Sequence, residues 1–450
     1  MVKDLTNGKP LKLIMNFCLP LMLGQFVQQL YNVVDSIIVG KFAGTAELSA
    51  VGSVGSICFM VIGFISGFTT GISIPISQAF GAGDETRVRK LFANCIYLSA
   101  AMSIVLTVVT YTLSRPILKL MNTPDEIFEM AYDYISVCFL GLTAIFFYNL
   151  LAAVMRSLGD SKTPLILLTS APILNIFLDL FFVLKLHMAC KGVAIATVIS
   201  QGLSAVLGMI IIIKKFKILH FNKSEAKPSI KMVGKLVGSG LPMGLQISVT
   251  AIGSIMLQSA VNVLGQTAIA AVTVGGKIQL FLILPTESIG IAMATYCGQN
   301  LGAKKIERIK TGLINSIGIG IVYSCIAAVI AYAFGSKLGI LFVNADQTDV
   351  LASIGQFLRT CCFFYPILTF VFIFRNSIQG LGYSTTAMFA GAFELAARAV
   401  MSYVVIPKFA YNAVCYANPA AWAAADLFLI PAFIAVYVIV KRKVTKQAAQ

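Results

Sequence analysis

Long apolar runs broken by short polar turns organise this chain from end to end. A helix needs about 20 apolar residues to cross a hydrocarbon layer of about 30 Å. Twelve runs meet that length, at roughly 13–38, 47–78, 90–113, 128–155, 163–184, 191–213, 235–262, 267–298, 309–333, 350–377, 384–406 and 419–440. Several are longer, so those helices are expected to tilt, kink or extend past the membrane. The pattern predicts an all-α polytopic membrane protein of twelve transmembrane helices. An even number puts both termini on one side.

Composition sharpens this. The 450 residues are 58% hydrophobic and 12% charged, with a mean hydropathy of +0.88. A soluble fold carries about 25% charge, so a chain this apolar uses the lipid bilayer as its solvent. The net charge of +16 would suggest nucleic acid in a soluble protein. Here the basic residues sit in short loops between apolar runs, where they orient the chain and meet anionic lipid heads, and no nucleic-acid partner is expected. One set of connections holds Lys3, Lys9 and Lys12, then Arg87, Arg89 and Lys90, then Arg156 and Lys162. It continues with Lys304, Lys305, Arg308 and Lys310, and with Lys441, Arg442, Lys443 and Lys446. The basic linker at about 214–235 belongs to it too, with seven lysines from Lys214 to Lys235. The opposite set is sparser, with Lys41, Arg115, Lys119, Lys185, Lys191, Lys337 and Lys408. The first set, and with it both termini, is expected to be cytoplasmic.

Catalytic signatures are missing. His187 falls in an outer loop and His220 in the basic linker, neither beside a suitable nucleophile or metal ligand, and no GxxxxGK[ST] string is present. The ten cysteines are scattered and read as small apolar core residues. Cys190 and Cys415 both fall near outer loops, which leaves a bridge between them open. The first apolar run has no cleavage site and reads as a permanent helix. The chain is therefore expected not to be an enzyme.

The two halves repeat. LPLMLGQ at Leu19–Gln25 reappears as LPMGLQ at Leu241–Gln246, and AELSAV ending at Val51 as AIAAV ending at Val272. SQAFGAGDETRVRK at Ser77–Lys90 reappears as GQNLGAKKIERIK at Gly298–Lys310, and RSLGDSKTP at Arg156–Pro164 as QGLGYSTT at Gln379–Thr386. One offset of roughly 222 residues relates all four pairs. Residues 1–220 and 221–450 are thus two pseudo-symmetric six-helix lobes of the same topology, an organisation found in secondary transporters that alternate access by rocking one repeat on the other.

Charge inside the span is the sharper signal, because it is costly there. Asp35, Asp179, Glu287, Glu394 and Asp426 lie within apolar runs. Asn175 precedes Asp179 by one turn, on the same helix face. Asp35, Asp179 and Thr197 each stand six residues from an outer lysine (Lys41, Lys185 and Lys191), hence about 9 Å inside the boundary. Three helices bring oxygen ligands to one depth, which suits a hard cation such as sodium or a proton; satisfaction of local backbone or of a buried water is the alternative. Gly63, Gly67 and Gly71 share a helix face and read as a close-packing stripe. Pro20 and Pro242 are repeat-related and each favours a kink; at Pro20 a hinge and a static kink both stay open.

The second half does not copy the acid cluster. The repeat offset puts Arg398 opposite Asn175 and Ser402 opposite Asp179. Glu394 and Arg398, four residues apart, read as an internal structural ion pair. Glu287 follows Pro285 and is a candidate for meeting a cationic substrate. The role of Asp426 stays open.

The chain resembles the multidrug and toxic compound extrusion (MATE) family, in the bacterial branch of the NorM and DinF-like proteins. The likeness rests on NVVDSIIVG at Asn32–Gly40, QAFGAGD at Gln78–Asp84, RSLGDSKTP at Arg156–Pro164, PILNIFLDLFF at Pro172–Phe182, GVAIATVIS at Gly192–Ser200 and GQNLGA at Gly298–Ala303. It implies a secondary active efflux transporter of the bacterial plasma membrane. Small amphipathic, often cationic compounds would leave in exchange for sodium ions or protons, with no other cofactor. Two lobes need no partner to form a cleft between them, so the protein is expected to act as a monomer. In similar proteins an acid of helix 1, an Asn and an Asp of helix 5 and a Thr of helix 6 hold the cation, which match Asp35, Asn175, Asp179 and Thr197. Acids that some NorM-type members use in helices 7 and 10 are lacking, since those helices offer Gln246, Gln258 and Arg375. The rival expectations are a lipid-linked-precursor flippase of the same superfamily, which calls for a strongly basic cleft, and a polytopic membrane enzyme.

Overall fold

The computed structural model describes residues 3–39, 42, 45–121 and 123–448; Gly40 and Lys41, used in the reading above, lie outside them. Among the described residues fourteen α-helices follow one another. Within a bilayer every backbone polar group needs a partner, and a helix satisfies its own. The order is α1 Pro10–Ile38, α2 Thr45–Gly81, α3 Glu85–Leu120, α4 Asp125–Leu140, α5 Leu142–Ser157, α6 Lys162–Leu180, α7 Ala189–Lys215, α8 Ile230–Asn262, α9 Gln266–Gly302, α10 Ile306–Gly339, α11 Thr348–Cys362, α12 Tyr365–Gly380, α13 Ser384–Val400 and α14 Ile406–Ala448. Helices α4 and α5 are one span bent by 47° at Gly141, and α11 and α12 are one span bent by 55°. Ala410, at φ 49° and ψ −136°, interrupts α14, so its first residues finish the span begun by α13 and the rest forms the last span. The described residues thus make twelve spans. The last starts directly after Ala410, earlier than the apolar run at 419–440 suggests.

By packing, the chain divides into two units, one of Met1–Asp4 with Leu23–Gly244, the other of Leu5–Met22 with Leu245–Gln450. Two of the three divisions inside the chain fall within helices. They come two residues after Pro20 in α1 and two residues after Pro242 in α8, the repeat-related prolines.

In the first unit α2 packs on α5 and α4, and α7 on α6, α5 and α4. The first half of α8 belongs here because α2 meets it backbone to backbone. A Cβ on Gly67 would stand 2.5 Å from the Met243 carbonyl oxygen, and one on Gly71 2.5 Å from that of Ser239. Two of the glycines in the stripe are thus required by the crossing. Gly141 is needed for a second approach, since a Cβ there would lie 2.1 Å from Val198 of α7.

In the second unit α9 packs on α12 and α10, and α14 on α13 and α12. The N-terminal segment is clamped to the turn between α9 and α10. Leu5 N–H donates to Gln299 Oε1 at 2.9 Å, Asn300 Nδ2 donates to the Leu5 carbonyl at 3.2 Å, and Lys305 Nζ donates to that of Thr6 at 3.0 Å.

The repeat is visible in the caps. In each of the turns at Gly83, Gly159, Lys304 and Gly382, that residue bonds back three residues and the next one bonds back five. All four have positive φ, between 58° and 87°, as this helix-ending motif requires. A π-helical turn follows α6 at Phe181–Lys185 and α13 at Met401–Val405, again in matching places. All ten cysteines are free, Cys190 and Cys415 included.

Candidate functional site

The site is built on three helices of the first unit. The periodicity of α1 places Gln28, Tyr31 and Asp35 on one face, that of α6 places Pro172, Asn175 and Asp179 together, and α7 adds Thr197 and Gln201. Asn175 and Asp179 are 2% and 0% exposed, so neither can draw on bulk water. Asp35, Thr197 and Tyr31 are half-buried.

The side chains converge. With its amide oxygen toward α7, Asn175 accepts from Thr197 N–H at 3.0 Å, and its Nδ2 donates to Asp179 Oδ2 at 3.1 Å and to Tyr31 Oη at 2.6 Å. Tyr31 Oη also lies 3.5 Å from Thr197 Oγ1. The Asp35 and Asp179 carboxyls face each other and interact directly, and Asp35 Oδ1 has no hydrogen-bond partner among the described residues. Two carboxyls in such contact call for a proton or a cation between them. Among the described residues no three His, Cys, Asp or Glu side chains converge. The set is therefore two carboxyls completed by amide and hydroxyl oxygens, the donors a hard cation takes.

A cavity of about 20 Å³ adjoins the cluster, lined by Gln28, Tyr31, Tyr148, Asn175, Thr197 and Gln201 among others. Its size suits about one water. Tyr148 Oη and Gln201 Oε1 are buried without a hydrogen-bond partner among the described residues, so polar groups are available to such an occupant. Tyr31, Gln28 and Gln201 were missed in the sequence, although each lies three or four residues from another lining residue on the same helix.

All four residues chosen from the sequence therefore meet. The others lie elsewhere. Pro20 sits inside an unbroken α1. Glu287 on α9 is half-buried, with no ion pair among the described residues. The Glu394–Arg398 pair exists at 3.9 Å, but the closer partner of Glu394 is Arg375 of α12, which reaches it from a different helix. The i,i+4 spacing gave only the weaker contact.

A family model described as MatE matches residues 20–181 and 242–404, one stretch in each repeat. The chain is 30% identical over 379 residues to the probable multidrug resistance protein YpnP of Bacillus subtilis (strain 168), covering 84% of both chains. It is 22% identical over 433 residues to the multidrug export protein MepA of Staphylococcus haemolyticus (strain JCSC1435), covering 95% of this chain and 93% of that one. A solved MATE structure in complex with MaL6 shares the fold, with a TM-score of 0.90 at 22% identity over 98% of this chain and 99% of that one. An outward-facing multidrug resistance MATE family transporter shares it with a TM-score of 0.86 at 21% identity, over 98% of both chains.

Proposed function

The chain belongs to the MatE family of membrane transporters, and we propose that it exports small amphipathic, often cationic organic compounds by antiport with sodium ions or protons. The observation that carries this reading is the Asp35, Asn175, Asp179 and Thr197 cluster. Its carboxyls face each other in a buried, oxygen-lined site, and no basic residue is among its partners in the described residues. A cation or proton placed there relieves the repulsion of the facing carboxyls.

The transporter works in the plasma membrane with both termini in the cytoplasm, and as a monomer. A cation entering from outside favours the arrangement that binds it better, and the substrate leaves from the state so selected. One charge moving down about 100 mV supplies about 2.3 kcal/mol. Pro20, where α1 passes from one packed unit to the other, is the natural place for that helix to change course.

Ethidium efflux from proteoliposomes tests the reading, under a sodium gradient alone and then a proton gradient alone, for wild type and Asp179→Asn. Efflux driven by one gradient and lost in the variant supports antiport and identifies the ion. Efflux unaffected by the variant moves coupling away from this site. No efflux from folded protein under either gradient points instead to lipid-linked precursors as cargo.

A further inference from the structure

The second unit holds its own cluster of buried charge, unlike the first in composition. Arg375 of α12 donates from Nη2 to Glu394 Oε1 on α13. On the other side of the same carboxylate, Arg398 Nη1 lies 3.9 Å from Oε2 and donates to the Thr250 carbonyl of α8 at 3.2 Å. Gly253 makes the room for this arginine, since a Cβ there would stand 3.1 Å from Arg398 Cδ and 3.3 Å from Nη1. The fourth member is Asp426 of α14. Glu394, Arg398 and Asp426 are 3%, 6% and 7% exposed.

Of the elements packed on α14, α12 brings Arg375, α13 brings Glu394 and Arg398, and α11 brings Asp349 and Arg359. Arg359 lies over the Tyr332 ring. Arg375 and Glu394 are the charged groups that act on Asp426. On α14 itself the flanking charges are Lys408 and Lys441.

Among the described residues, Asp426 Oδ1, Arg375 Nε and Arg398 Nε of this cluster have no hydrogen-bond partner, nor does Ser402 Oγ, four residues after Arg398. Buried groups left so are unusual and call for a reason. The ion pairing supplies one for Asp426. Both arginines are engaged by Glu394, and among the described residues neither is paired with Asp426. A buried carboxyl left outside an ion pair costs least when it carries a proton, so the arrangement suits a protonated Asp426. When Asp426 gives the proton to water, its carboxylate competes with Glu394 for Arg375, while Glu394 keeps Arg398. The same groups then have a second arrangement, in which each carboxylate has one arginine.

We infer that Asp426 is a second proton-carrying group, in the C-terminal unit, and that Arg375 exchanges between Glu394 and Asp426 as that proton binds and leaves. The two arginines make the cluster a poor host for a metal cation, so its ligand is a proton whichever ion the Asp35–Asp179 site takes. The inference does not depend on that site.

Infrared difference spectra of the full chain in lipid nanodiscs, taken between acid and alkaline buffer, test it. Wild type is expected to show a protonated-carboxyl C=O band that disappears as pH rises. That band is absent in Asp426→Asn, displaced in frequency in Asp426→Glu, and altered in its pH midpoint in Arg375→Gln, an effect a fixed structural ion pair does not produce. Carboxyl bands lost in Asp35→Asn or Asp179→Asn report separately on the other site, so either idea can fail alone. Identical carboxyl bands in wild type, Asp426→Glu and Arg375→Gln would overturn the inference. If Asp426→Asn does not fold, the other two variants decide.

Discussion

Lys304 holds the same turn in the second repeat that Gly83 holds in the first, at φ 58° against 72°. A lysine there keeps a Cβ in a conformation that costs a non-glycine residue about 1 kcal/mol. Lys304 is exposed, so nothing packed is lost with its side chain. Lys304→Gly is expected to raise stability by about 1 kcal/mol, measured as a higher midpoint of thermal unfolding in detergent. An unchanged or lower midpoint would mean that the turn is not strained by its lysine.

The α2–α8 crossing makes a contrasting pair of glycine predictions. At Gly71 an added Cβ meets backbone of Ser239 and Gly240, which cannot rotate away, whereas at Gly276 it meets nothing within 4 Å. Gly71→Ala is expected to cost about 1–3 kcal/mol by overpacking. Gly276→Ala, in an open helical position of α9, is expected to gain roughly 0.5–1 kcal/mol. Denaturant titration of both variants against wild type gives opposite signs if the crossing is as close as described.

Asn175 ties Tyr31, Asp179 and Thr197 together. Asn175→Ala leaves the buried Asp179 oxygen without that donor, a loss of about 1–3 kcal/mol. The coupling cation stabilises the folded state by mass action when it binds only there, so this variant is also expected to lose cation-dependent stabilisation. Reactivity of the buried thiols Cys95 and Cys138 during heating, with and without sodium and across pH, reads out both effects. Retained cation dependence in Asn175→Ala would remove Asn175 from the site.

The linker carries a pH-dependent contact. Glu225 accepts Asn222 N–H at 3.1 Å and receives Arg89 Nε on both oxygens at 2.9 Å. The backbone bond from Asn222, with Arg89 adding to it, holds its carboxyl below the ordinary glutamate value. A depressed folded value means that the contact stabilises fully above the unfolded glutamate range and is lost as pH falls through the folded value. Glu225→Gln should remove that dependence. Trypsin cleavage among the linker lysines at neutral pH is expected to be faster in Glu225→Gln than in wild type, and equal rates would show that the contact does not hold the linker down.

Different parts of the molecule were legible to different degrees. The spans were readable because lipid tolerates only self-satisfied backbone, and hydropathy reports that locally. The break at Ala410 was readable as the gap between the runs at 384–406 and 419–440, but the bend at Gly141 was not, since its run stays apolar on both sides. Asp35, Asn175, Asp179 and Thr197 were readable because a polar group at depth is rare. Tyr31, Gln28 and Gln201 carry no charge and passed as ordinary helix residues, although their spacing put them on the same faces. Arg375 was seen only as the residue that replaces an acid, because nothing local ties it to Glu394 on the next helix.

Local patterns by themselves determined the twelve spans, the two repeats and the carboxyls with a reason to be inside them. These follow from hydropathy, period and offset, each a property of neighbouring residues. Tertiary structure alone decided which packed unit each half of α1 and α8 joins, which arginine Glu394 prefers, and that Asp426 stands by that pair without a bond to it. Those outcomes depend on backbone approaches such as Gly71 to Ser239, and on side chains from separate helices competing for one partner. Free energy of that kind is settled only when all the competitors are in place.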